Sequence, residues 1–178
     1  MKVLVSAFKP FNKANNNYSI DVSNYLNDVD KEIIDVVYDD CYKELSNKYN
    51  LDEYDLIIAL GEARSRKVLT LETKAYNIAS CSLADNKGIL RKDSKINENG
   101  LDVLESKLDL QVLSNIVSLS IDPGKFVCNN LYYHLLSNYP SKAIFIHIPH
   151  CNDDVNEYKK YANEINIIIE ELKKQLEK

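Results

Sequence analysis

What this chain lacks narrows its function first. No apolar run approaches the roughly 20 residues that a membrane-spanning helix needs. There is no basic excess, the formal net charge being −5, so nucleic acid is not expected as a partner. The cysteines Cys41, Cys81, Cys128 and Cys151 follow no CxxC spacing, which excludes the usual zinc and dithiol redox motifs. The N-terminus is apolar only from Val3 to Phe8 before Lys9 and Pro10 intervene, too short for a signal-peptide core. A cytoplasmic protein with reduced thiols is therefore expected, with no membrane association. No G-x-G-x-x-G follows the first apolar run, which argues against a dinucleotide-binding enzyme. Neither an internal repeat nor a linker breaks the 178 residues, so residues 1–178 read as a single domain.

What is present is an alternation of short apolar runs and helical patterns. Lys2 to Phe8 reads as a buried first strand, followed by an Asn-rich loop. Ser19 is placed to cap a helix from Ile20 to Leu26. Glu32 to Tyr38 reads as a strand, and Cys41 to Tyr49 as a helix with Asp39 or Asp40 as cap. Tyr54 to Leu60 is the clearest central strand and stops at Gly61. Lys67 to Glu72 alternates like a strand, and Ala75 to Cys81 reads as extended. Ala84 to Gly100 is polar and reads as a long, mobile surface excursion; Leu101 to Leu113 is compatible with a hairpin or a short helix. Ala143 to Ile148 is a buried strand stopped by Pro149, and Asp153 or Asp154 caps a final helix reaching about Lys174. Strands alternating with helices predict an α/β fold: a three-layer α/β/α sandwich around a mostly parallel mixed sheet.

One stretch organises the chemistry. Ile116 to Ile121 reads as a strand that ends in the turn Asp122-Pro123-Gly124, and Phe126 to Leu136 reads as a helix. Cys128 then lies in the first helical turn, where the helix dipole favours a thiolate. If the strands are parallel, their carboxyl ends share one edge, where ligands bind in open α/β sheets. That edge collects Phe8 and Phe11, Glu62 and Arg66, Glu72, Cys128 and His147. A cysteine, a histidine and a carboxylate together make a hydrolase constellation: the imidazole takes the thiol proton and the carboxylate orients the ring. Taken singly, each residue also has a structural explanation. Cys128 can be a small buried thiol, His147 a hydrogen-bonded core histidine, and Glu72 or Arg66 a surface charge.

Four segments, in order, resemble the pyroglutamyl-peptidase I family of cysteine peptidases. Val3 to Phe11 is similar to its G-F-x-P-F segment, and Leu60 to Arg66 with Leu71 to Asn77 to its G-x-A-G-G-R…E-R-x-A-x-N block. Ser120 to Asn129 resembles the S-x-x-A-G-x-Y-V-C-N segment, and Phe145 to Pro149 the F-I-H-x-P segment. The resemblance implies Cys128 as nucleophile, His147 as general base and then acid, and Glu72 as the orienting acid. It implies Phe8 and Phe11 as aromatic contacts of the substrate's pyrrolidone ring, with Glu62 where some members have a Gln that contacts the lactam. Arg66 is a candidate helper at the developing oxyanion. It further implies peptide substrates with an N-terminal pyroglutamate, no metal or cofactor, and assembly as a homodimer or homotetramer.

The chain also departs from that pattern, and is shorter than typical members. Asn12-Lys13 and Arg64-Ser65 stand for glycine pairs, Asn17-Tyr18-Ser19 for Asn-Pro-Ser, Thr73 for Arg and Pro123 for Ala. These positions belong to the loops that shape the pocket rather than to the three reacting groups. Two functions follow as expectations. One is a peptidase that hydrolyses the amide after an N-terminal pyroglutamate. The other is a divergent member with changed specificity, or a catalytically silent binding protein.

Overall fold

Alternating apolar residues build one sheet with two buried faces. The computed structural model describes residues 1–177. In chain order the elements are β1 (Val3–Phe8), α1 (Tyr18–Ser23), β2 (Asp30–Ile34), α2 (Asp40–Lys48), β3 (Leu56–Glu62), β4 (Thr70–Glu72), β5 (Lys74–Tyr76), β6 (Val103–Glu105), β7 (Ser118–Ser120), α3 (Val127–Asn138), β8 (Ala143–Ile148) and α4 (Val155–Leu176). Six strands form the main sheet in the order β2-β1-β3-β8-β4-β7, while β5 and β6 pair as a separate antiparallel ribbon. All neighbours in the main sheet are parallel except β4 and β8.

The two-residue period of a strand divides the core. Leu56, Ile58 and Leu60 of β3, with Ile144, Ile146 and Ile148 of β8, face α1 and α4. Ile57 and Ala59, with Ala143 and Phe145, face α2 and α3. The result is the three-layer α/β/α arrangement. Its middle layer is apolar on both sides, which is why β3 and β8 read as continuous hydrophobic runs.

Several elements differ from their predicted bounds, each for a local reason. Helix α1 begins earlier, because the Asn17 side chain, not Ser19, caps it by accepting the Ser19 N–H. The Ser19 hydroxyl instead accepts the Phe8 N–H at 3.1 Å, tying α1 to the end of β1. Strand β2 ends at Ile34, since the Asp35 carboxylate accepts the Val36 N–H and turns the chain. Gly61 does not stop β3; it pairs with His147, and Glu62 with Ile148. Strands β4 and β7 keep only three residues each. The uncertain Leu101–Leu113 stretch holds β6 and a 3-10 turn at Leu110–Leu113. The 84–100 excursion is tied down rather than loose. Buried Asp85 accepts the N–H groups of Tyr38, Lys87 and Ile89, and Arg91 reaches Asp39 at 2.6 Å.

Candidate active site

Three strands present Phe8, Gly61 and His147 on the face covered by α2 and α3. Phe8 shares its face of β1 with Leu4, and Gly61 and His147 follow Ala59 and Phe145 at two-residue spacing. Glu72 reaches the same place by another route. Strand β4 runs against β8, so Glu72 is not at a shared carboxyl edge as the parallel reading assumed. It pairs with Phe145, two residues before His147, and so lies diagonally beside His147 on one face. Strand β7 likewise runs with β4 and against the rest, so the turn at Asp122–Gly124 must carry the chain back before α3 can begin.

The diagonal contact is a hydrogen bond. His147 Nδ1 lies 2.8 Å from Glu72 Oε1, with Glu72 fully buried and His147 only 5% exposed. Arg66 donates to the same oxygen at 3.0 Å, and also to Ser120 Oγ at 3.2 Å and the Asp122 carbonyl at 2.6 Å. Arg66 therefore clamps the carboxylate and the turn before α3, and it does not line the Cys128 cavity. Tyr132 of α3 donates to the Glu72 carbonyl at 2.9 Å, joining the helix to the same strand.

Helix α3 is located by its two asparagines. The buried Asn129 side chain donates to the Tyr76 and Ile78 carbonyls and accepts the Tyr76 N–H. The Asn130 side chain accepts the Asp39 N–H and donates to the Asp39 carboxylate. These bonds fix the first turn, and with it Cys128, over Gly61. A Cβ at position 61 would lie 2.8 Å from Cys128 Sγ and 2.9 Å from the Phe145 ring, so the site requires glycine there on steric grounds alone.

Cys128, His147, Phe8, Phe11 and Glu62 line one cavity of about 160 Å3, room for a single small ring rather than a drug-sized ligand. Asn17, Val36, Pro123, Phe126 and Val127 complete its wall. The Phe11 and Phe126 rings pack on each other with centroids 5.5 Å apart, so they make one continuous aromatic stretch of the wall. Sequence reasoning missed Phe126 and Val36 as lining residues. For Phe126 a signal existed, its place just before the helix that carries Cys128.

Glu62 sits on the opposite face of β3 from Gly61, toward α1. Its carboxylate accepts the Tyr18 N–H at 3.1 Å and meets His150 Nδ1 at 3.1 Å and Arg64 Nε at 3.3 Å. It is a tethered acceptor at the cavity's edge, with little freedom to move.

Burial works against the thiolate that the helix start favours. Burial, reinforced by the nearby Glu72 charge, pushes the Cys128 thiol up to about 12. Desolvation disfavours the charged form more than the first turn of a helix favours it. Among the described residues, no group of three or more His, Cys, Asp or Glu side chains could hold a metal ion. No described helix is long and apolar enough to cross a membrane.

Residues 1–173 match the family model for pyroglutamyl peptidase. The chain belongs to the pyroglutamyl peptidase family. It is 30% identical over 99% of its length to a pyrrolidone-carboxylate peptidase of Finegoldia magna, of which it covers 92%. It is 31% identical over 87% of its length to one of Brachyspira hyodysenteriae, covering 86% of that protein. The crystal structure of pyrrolidone carboxyl peptidase from Thermus thermophilus superposes with a TM-score of 0.85, at 22% identity over 94% of this chain and 98% of that one. The family is one of cysteine peptidases, so the family and the α/β/α fold agree with the resemblance carried by the four segments.

Proposed function

We propose that this pyroglutamyl peptidase family member hydrolyses the amide bond after an N-terminal pyroglutamate, with Cys128 as nucleophile, His147 as general base then acid, and Glu72 as the orienting group. The observation that carries the reading is the buried Glu72–His147 pair beside the cavity that also holds Cys128. Because Nδ1 is engaged by Glu72, Nε2 is the ring nitrogen left to exchange a proton with the thiol.

The burial that raises its pKa favours a neutral Cys128 thiol before attack. Sγ attacks the pyroglutamyl acyl carbon as its proton passes to His147 Nε2. The tetrahedral intermediate collapses when His147 protonates the leaving amine, giving a thioester. His147 then takes a proton from water, which attacks the thioester and frees pyroglutamate and the thiol. Phe126, at the cap position of α3, makes no side-chain capping bond, so the first N–H groups of the helix remain available to a developing oxyanion. Arg66 acts by holding Glu72 and the Asp122 turn. Phe8 and Phe11 pack against the lactam ring, and Glu62 accepts its N–H. All four cysteines are free, which fits a reducing, cytoplasmic setting. Assembly as a homodimer or homotetramer is part of the same proposal.

The test is release of a fluorogenic amine from a pyroglutamyl amide by the parent protein and by Cys128→Ala. Release by the parent alone supports the reading. No release by the parent, with Cys128 still alkylated faster than in His147→Gln, would transfer the site to another acyl group.

A further inference from the structure

A second cavity, of about 460 Å3, is lined by Arg64, Arg66, Lys67, His150 and Glu157, among others. A third, of about 420 Å3, shares Phe11 and Glu62 with the Cys128 cavity and Arg64 with the second. Through these shared walls the three cavities neighbour one another, from Cys128, past Glu62, to a groove with three permanent cations and one carboxylate. The cations are not equally committed. Arg66 is engaged by Glu72, Ser120 and Asp122. Arg64 meets Glu62 through Nε alone, which leaves its two terminal nitrogens, and no ion pair among the described residues includes Lys67. In the same groove, Glu157 Oε2 is buried without a hydrogen-bond partner among the described residues.

A free guanidinium edge and a free ammonium ask for an anion, and a planar carboxylate matches the guanidinium fork. An unpartnered carboxylate oxygen in the same groove asks for an N–H. One common species offers both groups a residue apart: the C-terminal end of a peptide. We propose that this groove binds the free C-terminal carboxylate of a short peptide whose first residue occupies the Cys128 cavity. Arg64 and Lys67 take the carboxylate and Glu157 takes a backbone N–H. The inference rests on the reading that a peptide is cleaved at Cys128, and it narrows the substrate class to short peptides with an unblocked carboxyl end. Arg64 stands where the resembled motif has glycine, so this preference belongs to this chain's own residues.

The test compares pyroglutamyl-alanine and pyroglutamyl-dialanine with their C-terminal amides. At low salt at least one free acid is cleaved with kcat/KM about tenfold above its amide. The ratio shrinks as salt screens the groove, and falls toward one in Lys67→Gln and further in Arg64→Gln/Lys67→Gln. A ratio near one at both lengths overturns the inference and leaves the peptidase reading standing. A second readout does not need turnover: acetyl-dialanine should shift the His150 ring proton signals more than acetyl-dialanine amide does. If no pyroglutamyl peptide is cleaved but this discrimination persists, the groove stands and the cleavage reading falls. Equal shifts with anion and amide overturn the groove.

Discussion

Two carboxylate-histidine-arginine clusters sit on the same side of the sheet, and they differ in what surrounds the histidine. Around Glu72, His147 gives one nitrogen to the carboxylate and borders a cavity that also holds a thiol. Around Asp39, His134 Nε2 meets the carboxylate at 2.9 Å, Arg91 meets it at 2.6 Å, and the ring stacks on Tyr42 at 5.2 Å. The Asp39 cluster joins the 84–100 segment, α2 and α3. The hydrogen bond from His134, with further ones from Asn130 and Arg91, holds the Asp39 carboxyl well below the usual carboxylate range. The same residue types thus make a brace in one place and a candidate proton relay in the other. An aromatic-lined cavity with a nucleophile separates the two, rather than the triad of residue types.

The comparison breaks most visibly by neutralising each carboxylate. Glu72→Gln should lower kcat/KM about 10^3- to 10^4-fold, because the amide can hold the wrong tautomer of His147. Asp39→Asn should leave kcat/KM within about threefold, and instead lower stability by about 1 to 2 kcal/mol, the value of charged hydrogen bonds discounted for partial exposure. Steady-state kinetics beside thermal melts decide it. Comparable kinetic losses in both variants would erase the distinction. A smaller effect is expected from Gly61→Ala, where the new methyl must displace Cys128 Sγ or the Phe145 ring. Moving a reacting atom by such an amount costs about 10^2 in rate, and overpacking costs about 1 to 3 kcal/mol. A Gly61→Ala protein with parental kinetics would mean that the thiol has no fixed station over β3.

The two clusters were not equally legible in the sequence. The strand Ala143–Ile148 could be read to the residue, because an apolar run that ends at Pro149 has one interpretation. The grouping of Cys128, His147 and Glu72 was also reachable, but part of the route to it was wrong. Strands β4 and β7 are three residues long, and nothing in three residues encodes direction, so the antiparallel placement of Glu72 appears only when β8 offers a partner. The upward push on the thiol was not legible, because a helix start is local and visible, whereas burial is a property of the packed chain. The Asp39 cluster was hidden for a similar reason. Asp39 takes the cap position of α2, but with φ 61° and no capping bond, because its carboxylate is used by residues 52 and 95 positions away.

The smallest expected effect concerns the two sides of the cysteine question together. Burial raises Cys128 and Cys151 from 9.0 to about 12, and Tyr38 from 10.0 to about 12. Each folded group keeps a proton that its unfolded counterpart gives up, so between about pH 9 and 12 the unfolded state binds fewer protons. Stability then falls as pH rises across that window and is fully present below it. Cys128→Ala removes one such group from the Glu72 side, and His134→Gln removes none from the Asp39 side. Denaturant unfolding at several pH values from 8 to 11 should therefore give a shallower alkaline decline for Cys128→Ala than for the parent, with His134→Gln parallel to the parent. An unchanged slope in Cys128→Ala would mean that His147, rather than burial, governs the resting thiol, and the first chemical step would then begin from an ion pair instead of a neutral one.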